Sequence, residues 1–243
     1  MPPSTQDSER RPAGIRVLDA QPELIEGLDE EQAALARKHA VAALDTIEAG
    51  AWVPARRYHD GRGSIGLLMI DGMLTRDVRL AGRACSELLG PGDLLRPWDF
   101  EDGGGETVQW DSEWTVLQTT RVAVLDERFA RVAGRWPEFV AGLVSRTLRR
   151  SRWMGVLLAI SNLTRVDERV VALMWHLADR WGHVTPGGVV VPVPLTHEMI
   201  GRLVGAHRPS VTSAMGELQR AGTVSRRDDG WLLDSEPPAR LSA

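Results

Sequence analysis

Apolar residues follow two textures along this chain. From Leu44 to Leu125 they come in short runs cut by Gly and Pro. Ile65–Ile70, Met73–Val78, Ser86–Leu89, Glu113–Gln118 and Val122–Leu125 are the strand candidates, with Leu44–Val53 opening the region. Runs of this length, bounded by turn residues, fit strands with one face in a core. AspGly at 71–72 and ProGly at 91–92 predict turns, and the spacing suits a compact antiparallel barrel or roll. Upstream, Leu28, Leu35 and Ala36 predict at least one amphipathic helix within 15–44. From Asp126 the period changes to three and four. Pro137 suits a first helical turn. Val140, Leu143/Val144, Thr147/Leu148, Ser151, Met154, Leu158 and Ser161 then carry one stripe towards Leu163, with Arg146, Arg149, Arg150 and Arg152 on other faces. Thr164–Trp181 sets Val166, Val170, Leu173, Met174 and Leu177 on one side and predicts a second core helix. Gly182–Gly188 reads as a loop and Val189–Val193 as a short strand.

The stretch Leu195–Leu218 predicts two short helices joined by a tight turn. Thr196 can cap the first, with Leu195 and Ile200 placed as a hydrophobic staple. Ile200, Leu203 and Val204 share a face. Gly205 follows, the residue best suited to a left-handed turn after a helix. Pro209 is acceptable only in a first helical turn. Val211, Met215 and Leu218 form the second apolar face, and Arg208, Thr212 and Ser213 point elsewhere. An exposed Arg with short hydroxyls is what a DNA major groove accepts. After AlaGly at 221–222, Thr223–Arg227, an AspAspGly turn at 228–230 and Trp231–Leu233 predict a hairpin bearing Arg226 and Arg227. Two helices followed by a hairpin make a winged helix.

The expected fold class is therefore α+β: an N-terminal antiparallel β-roll, a long helix and a C-terminal winged helix-turn-helix. The predicted divisions are a loose tail at 1–14, a β-roll domain at 15–135, the long helix at 136–163, a winged-helix domain at 164–235 and a tail at 236–243.

Charge sharpens this picture. The net charge is −4, which disfavours nucleic-acid binding until it is divided along the chain. Residues 195–227 hold five Arg against two Glu, beside His197 and His207. Local positive charge of this kind is what phosphate contact requires. The single cysteine, Cys85, excludes an internal disulfide and any four-cysteine zinc or iron–sulfur site built from this chain alone. A buried, inert thiol is the expectation for it. Gly103–Gly105 lies among Glu101, Asp102 and Glu106, which repel anions, and lacks the Lys-Ser/Thr of a triphosphate loop. A hairpin tip is expected there. His176 and His183 have no Cys companions and read as structural or solvated rather than metal ligands. No hydrophobic leader opens the chain, and the longest apolar run, Met154–Ile160, is too short to cross a bilayer. A cytoplasmic protein is expected. No hydrolytic triad, carboxylate pair or HExxH helix is evident, and no catalysis is predicted.

The run LTHEMIGRLVGAHRPSVTSAMGELQRAG with the hairpin TVSRRDDGWLL resembles the DNA-binding domain of the cyclic-AMP receptor/Fnr (Crp/Fnr) family of bacterial transcription regulators. Thr196, Ile200, Gly201, Gly205, Arg208, Ser210 and Val211 match the family pattern. His207, Pro209, Thr212 and Ser213 depart from it. The resemblance implies a homodimer on double-stranded DNA, with RNA polymerase a candidate partner and no membrane. Its long helix would pair with a two-fold mate through Val144, Thr147, Ser151, Met154 and Leu158. Arg208 would read bases. Thr196, His197, His207, Ser210, Thr212 and Ser213 would complete the DNA contact, with Arg226 and Arg227 on the wing. The family's β-roll is related to cyclic-nucleotide-binding domains, and LGPGDLL at 89–95 matches it. The Phe-Gly-Glu segment and Arg-Ser-Ala triplet that hold the cyclic phosphate are absent, and LLRPWDF stands at 94–100 instead. Cyclic AMP is therefore not expected to bind in the usual way, no iron–sulfur cluster is expected, and the effector is unknown. Arg96 and Trp98 are the candidate effector contacts. The competing reading is a small-molecule-binding module whose winged helix serves as a protein-interaction surface.

Overall fold

The computed structural model describes residues 13–55, 58, 63–100, 107–228, 230–234 and 236–237. The N-terminal tail to residue 12, the acidic Gly103–Gly105 tip, Asp229 of the hairpin turn and the tail from 238 lie outside the described residues. The chain forms two compact units. One comprises the chain up to Leu74 with Leu89–Gly105 and Trp114–Leu148. The other comprises Thr75–Leu88, Glu106–Glu113 and the chain from Arg149.

The first unit opens with β1 (Gly14–Arg16), a single helical turn α1 (Val17–Ala20), a 3₁₀ turn at Pro22–Ile25 and α2 (Glu30–His39). Asp29 caps α2 by accepting from Gln32 N at 2.8 Å, and the basic run Arg37, Lys38, His39 sits at its C-terminal end, where positive charge meets the helix dipole favourably. The buried face of α2 is Ala33 and Ala36, whereas Leu35 is exposed. The expected amphipathic helix is thus present, with Ala36 on its buried face and Leu35, 100° away, outside it.

The strands β2 (Val41–Ile47), β3 (Gly50–Trp52), β4 (Gly66–Leu80), β5 (Arg83–Leu89), β6 (Leu94–Leu95) and β7 (Asp111–Leu125) follow. With β1 they form one sheet in the order β1-β2-β7-β4-β5, β3 pairing with β7 and β6 with β4. Two expected breaks are not breaks. Glu113–Gln118 and Val122–Leu125 belong to a single strand, and the predicted turn at 71–72 lies inside β4. Gly72 takes φ +82°, and an added Cβ would strike Thr120 and the Thr119 carbonyl of the neighbouring strand. Asp71 accepts from Arg121 N at 3.1 Å and pairs with its guanidinium. AspGly therefore marks an irregularity that the sheet runs through, a reading open to Gly wherever a neighbouring backbone comes close.

Two apolar clusters fill this unit. One gathers Leu18, Leu24, Leu125, Phe129, Trp136 and Phe139. The other gathers Leu67, Met69, Leu74, Leu89, Leu95, Trp98 and Trp114. Asp126 caps α3 (Glu127–Ala133) through Phe129 N at 2.7 Å.

Helix α4 (Pro137–Ser161) begins at Pro137 as the sequence predicts. Its 25 residues extend about 37 Å at 1.5 Å per residue. Arg146 does not face solvent: it is buried and donates to Gln21 Oε1 at 2.8 Å and Glu23 Oε1 at 2.6 Å.

In the second unit α5 (Val166–Trp181) buries Val170, Val171, Leu173, Met174 and Leu177. The predicted loop after it contains a strand, β8 (His183–Thr185), paired antiparallel with β9 (Gly188–Val191). Val184 in β8 is largely exposed, so hydrophobic alternation gave no signal there. Helices α6 (His197–Val204) and α7 (Arg208–Arg220) precede the hairpin β10 (Val224–Arg227) and β11 (Gly230–Leu233). β11 pairs with β9, so the wing belongs to a four-stranded sheet ordered β10-β11-β9-β8. Among the described residues no helix is long and apolar enough to cross a membrane.

Candidate nucleic-acid interface

The reading head is built from the caps inward. Thr196 Oγ1 accepts from Met199 N at 3.2 Å, and Leu195 and Ile200 are both buried beside it. At the other end of α6, Gly205 sits in the left-handed region at φ +66°, ψ +38°. That conformation costs a Cβ-bearing residue roughly 1–2 kcal/mol. Gly201 has a different reason to be glycine, because a Cβ there would lie 2.6 Å from Ala206 O. α7 then packs Val211, Ala214, Met215 and Leu218 inward.

The outward face of α7 carries Arg208, Pro209, Ser210, Thr212 and Ser213, all exposed. Arg208 has no side-chain partner among the described residues. Thr212 donates to Arg208 O at 3.0 Å and Ser213 to Pro209 O at 3.2 Å. His207 is the N-cap residue and is exposed, with no side-chain cap bond. His197, on α6, lies with Nδ1 3.0 Å from Thr212 Oγ1 and its ring 6.5 Å from Trp231. Arg226 lies over the Trp231 ring at 4.6 Å and donates to Leu195 O at 3.4 Å. The structure thus links Thr212, His197 and Arg226 from reading helix to wing through the buried Trp231 ring. Arg227 shares the exposed wing strand.

Sequence reasoning matched Arg169 to the family's hinge but foresaw none of its bonds, and it gave Arg202 no role. Arg169 Nε donates to Leu163 O at 2.5 Å and Nη1 to Val204 O and Gly205 O at 3.3 Å. It satisfies carbonyls at the end of α6, which no intrahelical bond reaches. Arg202 bonds Glu198 at 2.5 Å and also pairs with Asp77, which is buried and bonded to Ser86. Glu87, likewise buried, holds Arg150 through both carboxylate oxygens (2.5 and 2.7 Å) and Arg76 at 2.9 Å. Such pairs join positions far apart in sequence, so spacing carries no sign of them.

The candidate effector residues are occupied locally. Arg96 donates to Asp99 at 2.7 Å and Ser64 O at 2.7 Å, and its guanidinium lies 5.3 Å from the Trp98 ring. Trp98 itself is part of the apolar core. Cys85 reaches the surface, contrary to the expected burial, because burial along β5 begins only at Ser86. Desolvation first, then the carboxylates of Glu87 and Asp77, push its thiol up, which makes it a poor nucleophile. Of the predicted seam residues, Val144, Thr147, Ser151 and Leu158 are exposed and Met154 is half-buried. Val140 and Leu148 extend the exposed apolar stripe. Among the described residues no group of three potential ligands could hold a metal ion.

Comparison with known proteins places this architecture. A Crp-like helix-turn-helix domain matches residues 168–237. The regulatory protein CysR of Synechococcus elongatus is 33% identical over 103 residues, covering 40% of this chain and 50% of that one. The matched stretch thus spans about half of CysR. A CRP-like cAMP-activated global transcriptional regulator of Mycobacterium tuberculosis is 31% identical over 156 residues, covering 63% of this chain and 67% of that one. A structure of a CooA variant from Carboxydothermus hydrogenoformans shares the fold at a TM-score of 0.63, with 15% identity over 94% of this chain and 93% of that one. With the capped α6, the left-handed turn, the reading helix and the wing, these likenesses assign the chain to the Crp/Fnr family of transcription regulators.

Proposed function

We propose that the protein acts as a homodimer on an inverted-repeat operator, each α7 lying in a major groove with half-sites about one helical turn apart. The observation that carries this reading is the state of Arg208. It is exposed at the start of α7, has no partner among the described residues, and stands beside exposed hydroxyls while the opposite face is buried. A free guanidinium in that place suits bidentate pairing with guanine O6 and N7. Thr196, His207 and Ser210 then meet phosphates, joined by Arg226 and Arg227 from the wing. Because Pro209 and Ser213 stand where the family usually carries Glu and often Arg, the preferred half-site differs from the usual one.

The exposed stripe of α4, through Val144, Thr147, Ser151, Met154 and Leu158, is the proposed seam between copies. Residues 15–135 form the sensing domain and 164–235 the DNA-binding domain, in the cytoplasm and without catalysis. The Mycobacterium relative is named as cAMP-activated. Here the bonds of Arg96 to Asp99 and Ser64, with Trp98 filling the core, argue for an effector other than cyclic AMP held in the usual way.

Selection of bound genomic DNA by wild type and Arg208→Ala tests the proposal. The variant loses about 1–3 kcal/mol on the selected operator and loses preference at one base position. Undiminished binding with unchanged preference would remove Arg208 from base reading.

A further inference from the structure

The tip of the β4–β5 hairpin lies beside the start of the reading helix, and both belong to the second unit. Leu80 ends β4 and Arg83 begins β5, so Ala81 and Gly82 make the whole turn. Both have positive φ, +49° and +74°, the pattern of the tight hairpin turn whose twist matches that of its strands. Glycine takes this conformation freely, whereas it costs an alanine roughly 1–2 kcal/mol. The strands on either side therefore impose the turn and fix where Arg83 leaves it.

Ion pairs hold the hairpin against α6. The buried Asp77 of β4 accepts from Ser86 and pairs with Arg202, and Glu198 takes the same guanidinium at 2.5 Å. Next to this anchor the hairpin tip and the α6–α7 turn border a concavity of about 290 Å³, lined by Arg83, Gly205, His207 and Arg208 together with Glu198 and Arg202. Glu198 and Arg202 neutralise each other, and the charge left over is positive. Arg83 and Arg208 are both exposed, and neither guanidinium has a partner among the described residues. Two like charges on one concavity, with no carboxylate left to separate them, favour an anion there.

We propose that Arg83 grips a DNA backbone phosphate at the edge of the groove that α7 enters, so that the hairpin tip is a DNA-contacting element outside the helix-turn-helix and the wing. The proposal rests on the reading of α7 as the helix that enters the major groove. With the N-terminal end of α7 at the bases, a side chain bordering that end faces the sugar–phosphate strand beside them. A guanidinium meets phosphate with two parallel N–H bonds. Such a contact fixes position and carries no base information.

Binding of the full chain to its selected operator, measured against salt, gives the first test. Arg83→Ala is expected to reduce the slope of log K against log salt by about one for each chain bound, with base preference unchanged. Between about 50 and 200 mM salt the variant then loses roughly three- to fourfold less affinity per chain than wild type. Arg83→Lys keeps the charge and restores most of the slope. Operators in which a neutral methylphosphonate replaces one phosphate at a time locate the contact. One position in each half-site is expected to weaken wild type and leave Arg83→Ala unaffected, and it lies beside the base pair whose preference Arg208→Ala removes. An unchanged slope in Arg83→Ala, or a variant that responds to every methylphosphonate as wild type does, would overturn the contact and leave the reading helix standing. An altered base preference in Arg83→Ala would overturn its phosphate role. Wild type without salt-dependent DNA binding would instead overturn the reading of α7 on which the contact depends.

Discussion

Replacing Gly205 tests whether the reading head is set by backbone conformation. An alanine there must adopt φ +66°, which costs about 1–2 kcal/mol for a residue with a Cβ. Alanine also removes conformational freedom from the unfolded chain, returning about 0.4–1 kcal/mol. No steric cost is added, since the nearest atom to the new Cβ, Ser161 Cβ, lies 3.8 Å away. The net loss should be about 1 kcal/mol, or roughly 2–4 °C in Tm for a chain of this size. Asparagine tolerates the left-handed region, so Gly205→Asn should lose less than Gly205→Ala. Gly201 supplies the contrast. Alanine gains about 1 kcal/mol of helix propensity there, but its Cβ would meet the rigid Ala206 carbonyl at 2.6 Å, and overpacking of this kind costs about 1–3 kcal/mol. Asparagine brings the same Cβ and cannot rescue it. Urea unfolding gives the losses, and hydrogen exchange across α6 and α7 locates them. If Gly205→Asn proved as costly as Gly205→Ala, the left-handed turn would not be what position 205 requires.

Other substitutions probe the remaining parts of the molecule. Arg226→Ala should weaken binding to every DNA sequence alike and reduce the slope of log K against log salt by about one; a loss confined to one sequence would contradict its phosphate role. Leu158→Asp places a charge on the exposed stripe of α4 and should convert dimer to monomer in light scattering, whereas an intact dimer would move the seam elsewhere. His176 should contribute a pH dependence. Its folded pKa lies below the ordinary value, so the unfolded chain binds more protons around pH 6, and the contribution, complete above the unfolded pKa, is lost as pH falls through the folded one. The urea midpoint of wild type should therefore drop more steeply on acidification than that of His176→Phe, and parallel curves would refute the assignment.

The reading head was legible in the sequence because its determinants are local. Thr196 caps a nitrogen three residues away, Gly205 ends its own helix, and Val211, Met215 and Leu218 repeat within one helix. The start of α4 at Pro137 is local for the same reason. The sheet was legible in kind but not in detail. AspGly has the composition of a hairpin turn, and only the approach of Thr119 and Thr120 shows why β4 continues through Gly72. Arginines were the least legible residues. The same side chain is solvated at Arg208 and buried at Arg146, and the difference lies in Gln21 and Glu23, more than a hundred positions earlier. Strand β8 escaped notice because Val184 faces outward and its pairing comes from backbone bonds that any sequence can make.

In the proposed complex with DNA, the back-bonded hydroxyls of α7 constrain which base edges can be addressed. Thr212 and Ser213 have each committed their only hydroxyl hydrogen to a carbonyl of the preceding turn, so what they turn outward is lone pairs. A base that meets them must bring the hydrogen itself. The amino groups of adenine N6 and cytosine N4 qualify; guanine O6 and thymine O4 do not. The same proton count fixes a tautomer nearby. With Thr212 already donating, its 3.0 Å contact with His197 Nδ1 needs the hydrogen to sit on the imidazole. Nε2 of His197 is then an acceptor in the neutral ring.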